Sequence, residues 1–195
     1  MSCITRSLDA VLRTFLDHHP AHYEGRDDWP LDPVAPLRVR LCEASSLPPV
    51  AWRSSILGIV VLPDETVLFL QSTEPTGAIA HLLVGGRPEQ GEAPEETLRR
   101  EVAEETGWLV EQRAVIGFRH FHHLGPPHPQ LADRPYPDFL QAVYAATATR
   151  YDSSALLPGE IPCEPVDTRW AVAVTEPAQR TLLRAALRAC LEESG

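Results

Sequence analysis

No basic run occurs in these 195 residues. Lys and Arg total 17 against 27 Asp and Glu, a formal net charge of −10. A general nucleic-acid binder, or a protein held on an anionic membrane, needs the opposite balance, so neither partner is expected. A nucleotide substrate remains open, because a divalent cation can join acidic protein to phosphate. No apolar stretch approaches the ~18 residues of a membrane span, and the N-terminus has no signal-peptide pattern. Cys3, Cys42, Cys163 and Cys190 form no C-x-x-C pair. Neither a disulfide framework nor a structural zinc site is therefore expected, and a reducing cytoplasm fits best. Internal repeats and low-complexity segments are also absent. Proline, by contrast, is abundant at 19, beside an ordinary apolar fraction of 44%. That combination implies many loops and fixed turns in a chain long enough to bury a core.

Periodicity gives the element order. Residues 4–18 place Leu8, Val11, Leu12, Phe15 and Leu16 at helical spacing, an amphipathic helix that needs a surface to bury against. A homodimer is one way to supply that surface. Residues 20–36 are polar and proline-rich and read as a long connection; 37–41 alternate as a strand. Residues 55–62 and 66–71, separated by Pro63-Asp64-Glu65, read as a hairpin, and 81–84 as a short strand entering Gly85-Gly86. Strands are expected over 109–118, 138–147 and 168–174. A last helix follows, with Thr175 as its cap and Pro177 in its first turn. A hairpin, a glycine loop, a helix, further strands and a helix suit a mixed β-sheet with helices on both faces, an α+β (α/β/α) architecture.

The segment 86–108 carries the chemistry. Pro94 suits a first helical turn, Glu95 and Glu96 suit the positive end of the helix dipole, and Gly107 suits the position just past its end. Leu98 and Val102 make an apolar stripe. At about 100° per residue, Glu104 falls about 60° to one side of Glu101 and Glu105 about 40° to the other. Like charges so arranged repel by a few tenths of a kcal/mol per pair. A hard divalent cation with oxygen ligands gives the arrangement a use. Arg100 reaches Glu104 across one turn.

The residues Gly86, Glu92, Arg100, Glu101, Val102, Glu104, Glu105, Gly107 and Trp108 resemble a complete Nudix box, G-x5-E-x7-R-E-U-x-E-E-x-G-U with U a bulky apolar residue. The resemblance covers residues 53–192. It implies a Nudix domain over 53–195, preceded by an N-terminal elaboration over 1–52. It also implies hydrolysis of a nucleoside diphosphate linked to another moiety, by water attack at phosphorus with Mg2+ or Mn2+. Glu101, Glu104 and Glu105 would be metal ligands with the carbonyl of Gly85, while Glu92, Arg100 and Gly86 would support them. Glu101 or Glu104 would act on the water.

Family members often add an acid from the loop before the final strand; Glu164 is the candidate here, with Glu160 next. Four histidines crowd 119–128, and alternation puts His120 and His122 on one face. These two, with Tyr136 and Phe139, are the candidates for substrate contact, and Phe121 and Tyr144 are further stacking candidates. Two other functions share the fold: a non-catalytic nucleotide sensor, and an isoprenoid-diphosphate isomerase that would need a nucleophilic cysteine such as Cys163. No mark outside the box identifies a subfamily.

Overall fold

The computed structural model describes residues 2–29, 31–73, 79–159, 163–168, 171 and 179–191. They form two compact units, 1–54 with 117–142, and 55–116 with 143–195.

In the first unit, helix α1 (Ser2–His18) precedes strands β1 (Ala21–Trp29) and β2 (Ala35–Glu43). The later part of β7 (Trp108–His123) and the start of β8 (Asp138–Tyr151) complete it, in the order β1-β2-β7-β8. β1 pairs antiparallel with β2, and β2 with β7. Part of the apolar stripe of α1 is covered inside this unit, while Val11 is exposed. Leu12 is buried with Cys42, Trp52, Phe118 and Leu140, and the Phe15 ring lies 5.0 Å from Phe118.

β1 corrects the expected connection. Its sequence AHYEGRDDW has no apolar alternation because its side chains alternate between exposed and partly covered. The backbone ladder to β2 holds such an edge strand, and a polar edge resists pairing with other chains. Trp29 anchors one end, against Phe121 and Phe139 at 5.3 and 5.8 Å, and Ala21 packs on the Leu12 cluster at the other.

The second unit contains β3 (Arg53–Val61), β4 (Thr66–Thr73), β5 (Ile79–Leu82), β6 (Val84–Gly86) and β9 (Cys163–Asp167). It also holds helix α2 (Pro94–Thr106) and a last helix, here α3 (Arg180–Leu191). The β3–β4 hairpin forms as expected, with Val60 opposite Leu68. β6 pairs with β3, and β5 and β9 pair with β4. The two helices take opposite faces of β3. A Cβ on Gly58 would meet Leu98 of α2 at 2.8 Å, whereas the adjacent Ile59 shares a small apolar cavity with Leu182 and Leu183 of α3. Adjacent strand residues point to opposite faces, so the expected helix–sheet–helix layering holds in this unit. The fold is α+β with a mixed sheet.

Among the described residues the last strand precedes the expected 168–174, of which only Thr168 and Ala171 are described. Residues 163–167 form β9, and Thr168 and Ala171 are helical. The five residues CEPVD contain one buried anchor, Val166 opposite Val67, too little apolar alternation to reveal a strand. Thr175 and Pro177 lie outside the described residues.

Leu12→Ala should lower unfolding stability by about 2–4 kcal/mol, the usual cost of emptying a buried leucine site. Urea denaturation measures this, and a change below about 0.5 kcal/mol would show that α1 contributes nothing to the unit.

Candidate active site

Local rules build α2. Pro94 opens it, the Glu96 carboxylate accepts from the Ala93 N–H at 2.9 Å, and Gly107 closes it at φ 73° with its N–H on the Ala103 carbonyl. Thr97, Leu98, Val102 and Thr106 are buried, leaving the acidic arc on the other side. Glu95 is tied rather than loose, because the buried Tyr144 hydroxyl on β8 donates to it at 2.8 Å.

Arg100 stands at the centre of that arc. Its Nε and Nη2 donate to the two oxygens of Glu92 at 2.9 and 3.0 Å. Nη1 donates to Glu101 at 3.1 Å and to Glu104 at 3.0 Å, and Nη2 also reaches the Arg87 carbonyl at 2.9 Å. A guanidinium has five N–H donors, and here each has an acceptor. The hydrogen bonds from Arg100 hold the Glu92 carboxyl down at about 2 against partial burial, with the Glu89 N–H and Thr97 hydroxyl adding to the effect. Glu101 moves the other way. Burial raises its pKa, the neighbouring charges of Glu104 and Glu92 add, and Arg100 offsets only part.

The paired glycines give these carboxylates their seats. Gly85 has φ 133°, a region side chains disfavour, and its N–H donates to Glu105 at 2.8 Å. A Cβ there would lie 2.3 Å from the Ile56 carbonyl oxygen. At Gly86 a Cβ would lie 2.3 Å from the Glu101 carboxylate, so the absent side chain is the space Glu101 occupies. One cation, Arg100, thus faces Glu92, Glu101 and Glu104, with Glu105 alongside. This surplus of hard oxygen donors suits a divalent ion. Among the described residues no group of three His, Cys, Asp or Glu side chains already surrounds one point. Glu101 and Glu104 lean on Arg100, and Glu105 on the Gly85 N–H.

Glu164 does not join this group. Its carboxylate accepts a hydrogen bond from Gln71. Its neighbours Cys163 and Pro165 line a cavity of about 480 Å³ together with Glu105, so strand alternation turns Glu164 to the opposite face. Glu164 thus stands against Gln71 on the face away from that cavity, and Glu160 lies outside the described residues. Burial, with the charge of Glu105 adding, pushes the Cys163 thiol up to about 12.

His120 and His122 lie on one face of β7, and both hydrogen-bond the same Asp138 oxygen at 2.8 Å. Burial opposes ionisation of Asp138, but the two histidine hydrogen bonds outweigh it and hold its pKa below the ordinary value. Phe139 is fully buried, stacked 4.9 Å from Phe121, and is therefore core rather than a free stacking surface. Tyr136 is half exposed, with its hydroxyl on the Gly125 carbonyl at 3.3 Å. Asp138 and the cavity beside Glu105 escaped the sequence reading. Pairings across 16 and 18 residues follow no local spacing, and Tyr151 stands 43 residues beyond Trp108.

The two glycines should separate in mutation. Gly86→Ala displaces only a side chain, so stability should change by less than about 1 kcal/mol while turnover collapses. Gly85→Ala meets backbone at a strained φ and should cost more than about 2 kcal/mol; thermal unfolding beside an activity assay distinguishes them. Asp138→Asn should cost about 1–3 kcal/mol at pH 7, the worth of hydrogen bonds to a charged group. The folded-state pKa of Asp138 is depressed. Its stabilisation is therefore present above the unfolded value of about 3.9 and fades as pH falls below it. Urea titrations at pH 7 and pH 3.5 should show the difference from the unsubstituted protein shrinking at the lower pH.

Comparison with known proteins agrees with the architecture. A Nudix hydrolase structure from Nitrosomonas europaea is similar, with 16% identity and a TM-score of 0.51 over 68% of this chain and 87% of that one. A Nudix-family hydrolase from Clostridium perfringens shares 22% identity over 70% and 95% of the two chains, with a TM-score of 0.44. No curated protein sequence matches. The NUDIX domain profile matches residues 52–172, a span that contains α2, both glycines and every carboxylate held by Arg100. Because that match covers more than half of the chain, this protein belongs to the NUDIX family.

Proposed function

We propose that this Nudix hydrolase cleaves the phosphoanhydride of a nucleoside diphosphate linked to a second moiety, with Mg2+ or Mn2+ as its cofactor. The observation that carries the reading is the Arg100 cluster. Glu101 and Glu104 are held by a guanidinium with all five donors engaged, while Glu105 is seated on the Gly85 N–H. Glu101, Glu104 and Glu105 would hold the cation. When bound, it neutralises phosphate oxygens and acidifies water. The chain's own part is positioning. Glu92 fixes Arg100, Arg100 fixes Glu101 and Glu104, and the β6–α2 connection brings backbone close to the phosphates. One carboxylate of the cluster accepts the proton of the attacking water. Catalysis of this kind rests on placement and charge stabilisation more than on covalent chemistry. On this reading residues 53–195 form the catalytic domain, preceded by an N-terminal elaboration over residues 1–52.

Glu104→Gln and Glu105→Gln should each lower kcat by about 10²–10³-fold with melting temperature little changed. A phosphate-release screen over nucleoside triphosphates, nucleotide sugars and dinucleotides, with and without chelator, measures this. Undiminished turnover in both variants would sink the proposal.

A further inference from the structure

One face of the strands in the first unit carries a charge pattern that the proposed reaction does not use. On β2, Leu37, Val39 and Leu41 are buried, while Arg38 and Arg40 turn the other way. The strand register sets their neighbours. Arg40 stands between Glu24 of β1 and His120 of β7, and Arg38 between Arg26 and His122. Residues paired across a ladder point to the same face, so these groups form two rows about 7 Å apart along the strands. Asp138 closes the β7 side by accepting from both histidines at 2.8 Å.

The second row sets Arg26 directly opposite Arg38, and like charges in that relation destabilise a strand pair. Asp28 answers Arg26, whose Nε donates to it at 2.7 Å. Arg38 and Arg40 are left with one carboxylate between them. Glu24 lies 3.7 Å from the Nε of Arg38 and 3.6 Å from that of Arg40, beyond hydrogen-bond length for both. The Nε of Arg40 is buried and has no acceptor among the described residues. Where Arg100 has an acceptor for every donor, these two guanidiniums keep their terminal N–H groups uncommitted to the described residues. His122 adds a third group. Its Nδ1 donates to Asp138, which leaves Nε2 for another partner, and its side chain is 37% exposed against 7% for His120.

We infer that Arg38, Arg40 and His122 form a binding site for one small phosphate group, free or carried on a phosphomonoester. A planar guanidinium matches phosphate oxygens with paired N–H donors, and two long side chains on neighbouring rows can converge on one tetrahedral anion. The surplus of arginine over carboxylate then has a use that a ladder of surface ion pairs does not give it. Glu24, Asp28 and Asp138 border the patch, so it suits a single compact anion rather than the continuous phosphate track of a nucleic acid. The site lies wholly in the first unit and is read by binding, not turnover, so its failure would leave the hydrolase reading untouched.

Calorimetry on the full chain tests it, with divalent cations removed on a chelating resin and ionic strength kept low, using inorganic phosphate and glycerol phosphate as ligands. One-to-one binding with Kd of about 0.1–1 mM is expected. The tighter ligand identifies free phosphate or a phosphomonoester as the source, and equal affinity shows that the phosphate group alone is read. Arg38→Gln should weaken binding at least about tenfold, the worth of one hydrogen bond between charged groups. Glu24→Gln removes the competing carboxylate and should tighten binding at least about twofold, a gain that a merely structural pair would not produce. Arg38 and Glu24 are both half exposed, and Arg40→Gln gives the same reading if Arg38→Gln does not fold. No saturable binding, affinity unchanged by the arginine substitution, or no tightening in Glu24→Gln overturns the site. Tighter binding of a short unphosphorylated RNA than of either phosphate also overturns it, and assigns the arginines to nucleic acid instead.

Discussion

The site depends on one guanidinium. Arg100 offers five N–H donors, and the fold supplies Glu92, Glu101, Glu104 and the Arg87 carbonyl to receive them. A lysine could not replace this planar fork, because an ammonium is a point charge with three rotating donors. The bidentate bond to Glu92 sets the plane of the group. Once that plane is set, Nη1 can aim only where Glu101 and Glu104 stand, one helical turn apart. Carboxylates that would repel one another on a bare helix are thereby held in place while part of their charge remains.

The glycines answer the same constraint from the other side. Glu101 occupies the volume a side chain at Gly86 would take, and Gly85 adopts a positive φ that turns its N–H toward Glu105. The helix must also stay where these contacts meet. Leu98 against Gly58 seats α2 on β3, and the Tyr144 hydroxyl on Glu95 fastens its first turn to β8. Backbone bonds from the loop after β8 fasten its last turn. A helix held at both ends presents its carboxylates with little freedom, which is what catalysis by positioning requires.

Much of this was legible because it is local. Helix α2 announces itself by Pro94, the Leu98–Val102 stripe and Gly107, all within one element whose period is known. The sequence shows Glu95 only as charge suited to the helix dipole, because its partner, Tyr144, lies 49 residues away. β1 was missed because its support is backbone pairing, which leaves no mark on side-chain pattern. The direction of Glu164 is not written locally either, because proximity in sequence to the site says nothing about which way a strand residue points; Cys163 and Pro165 line the cavity with Glu105, and Glu164 lies against Gln71.

The sequence by itself determined the box helix, its acidic arc, its glycine entry and therefore the phosphate chemistry of the family, since each is written in spacing within about two dozen residues. Only the tertiary structure decided that His120 and His122 share Asp138 and that α1 buries Leu12 inside its own unit. It also decided that Trp108, Tyr151 and Cys163 meet around one cavity beside Glu105. Those contacts join residues far apart in the chain. Helical and strand periods report only which side of an element is apolar; the partner that covers it is chosen when the sheet closes its register.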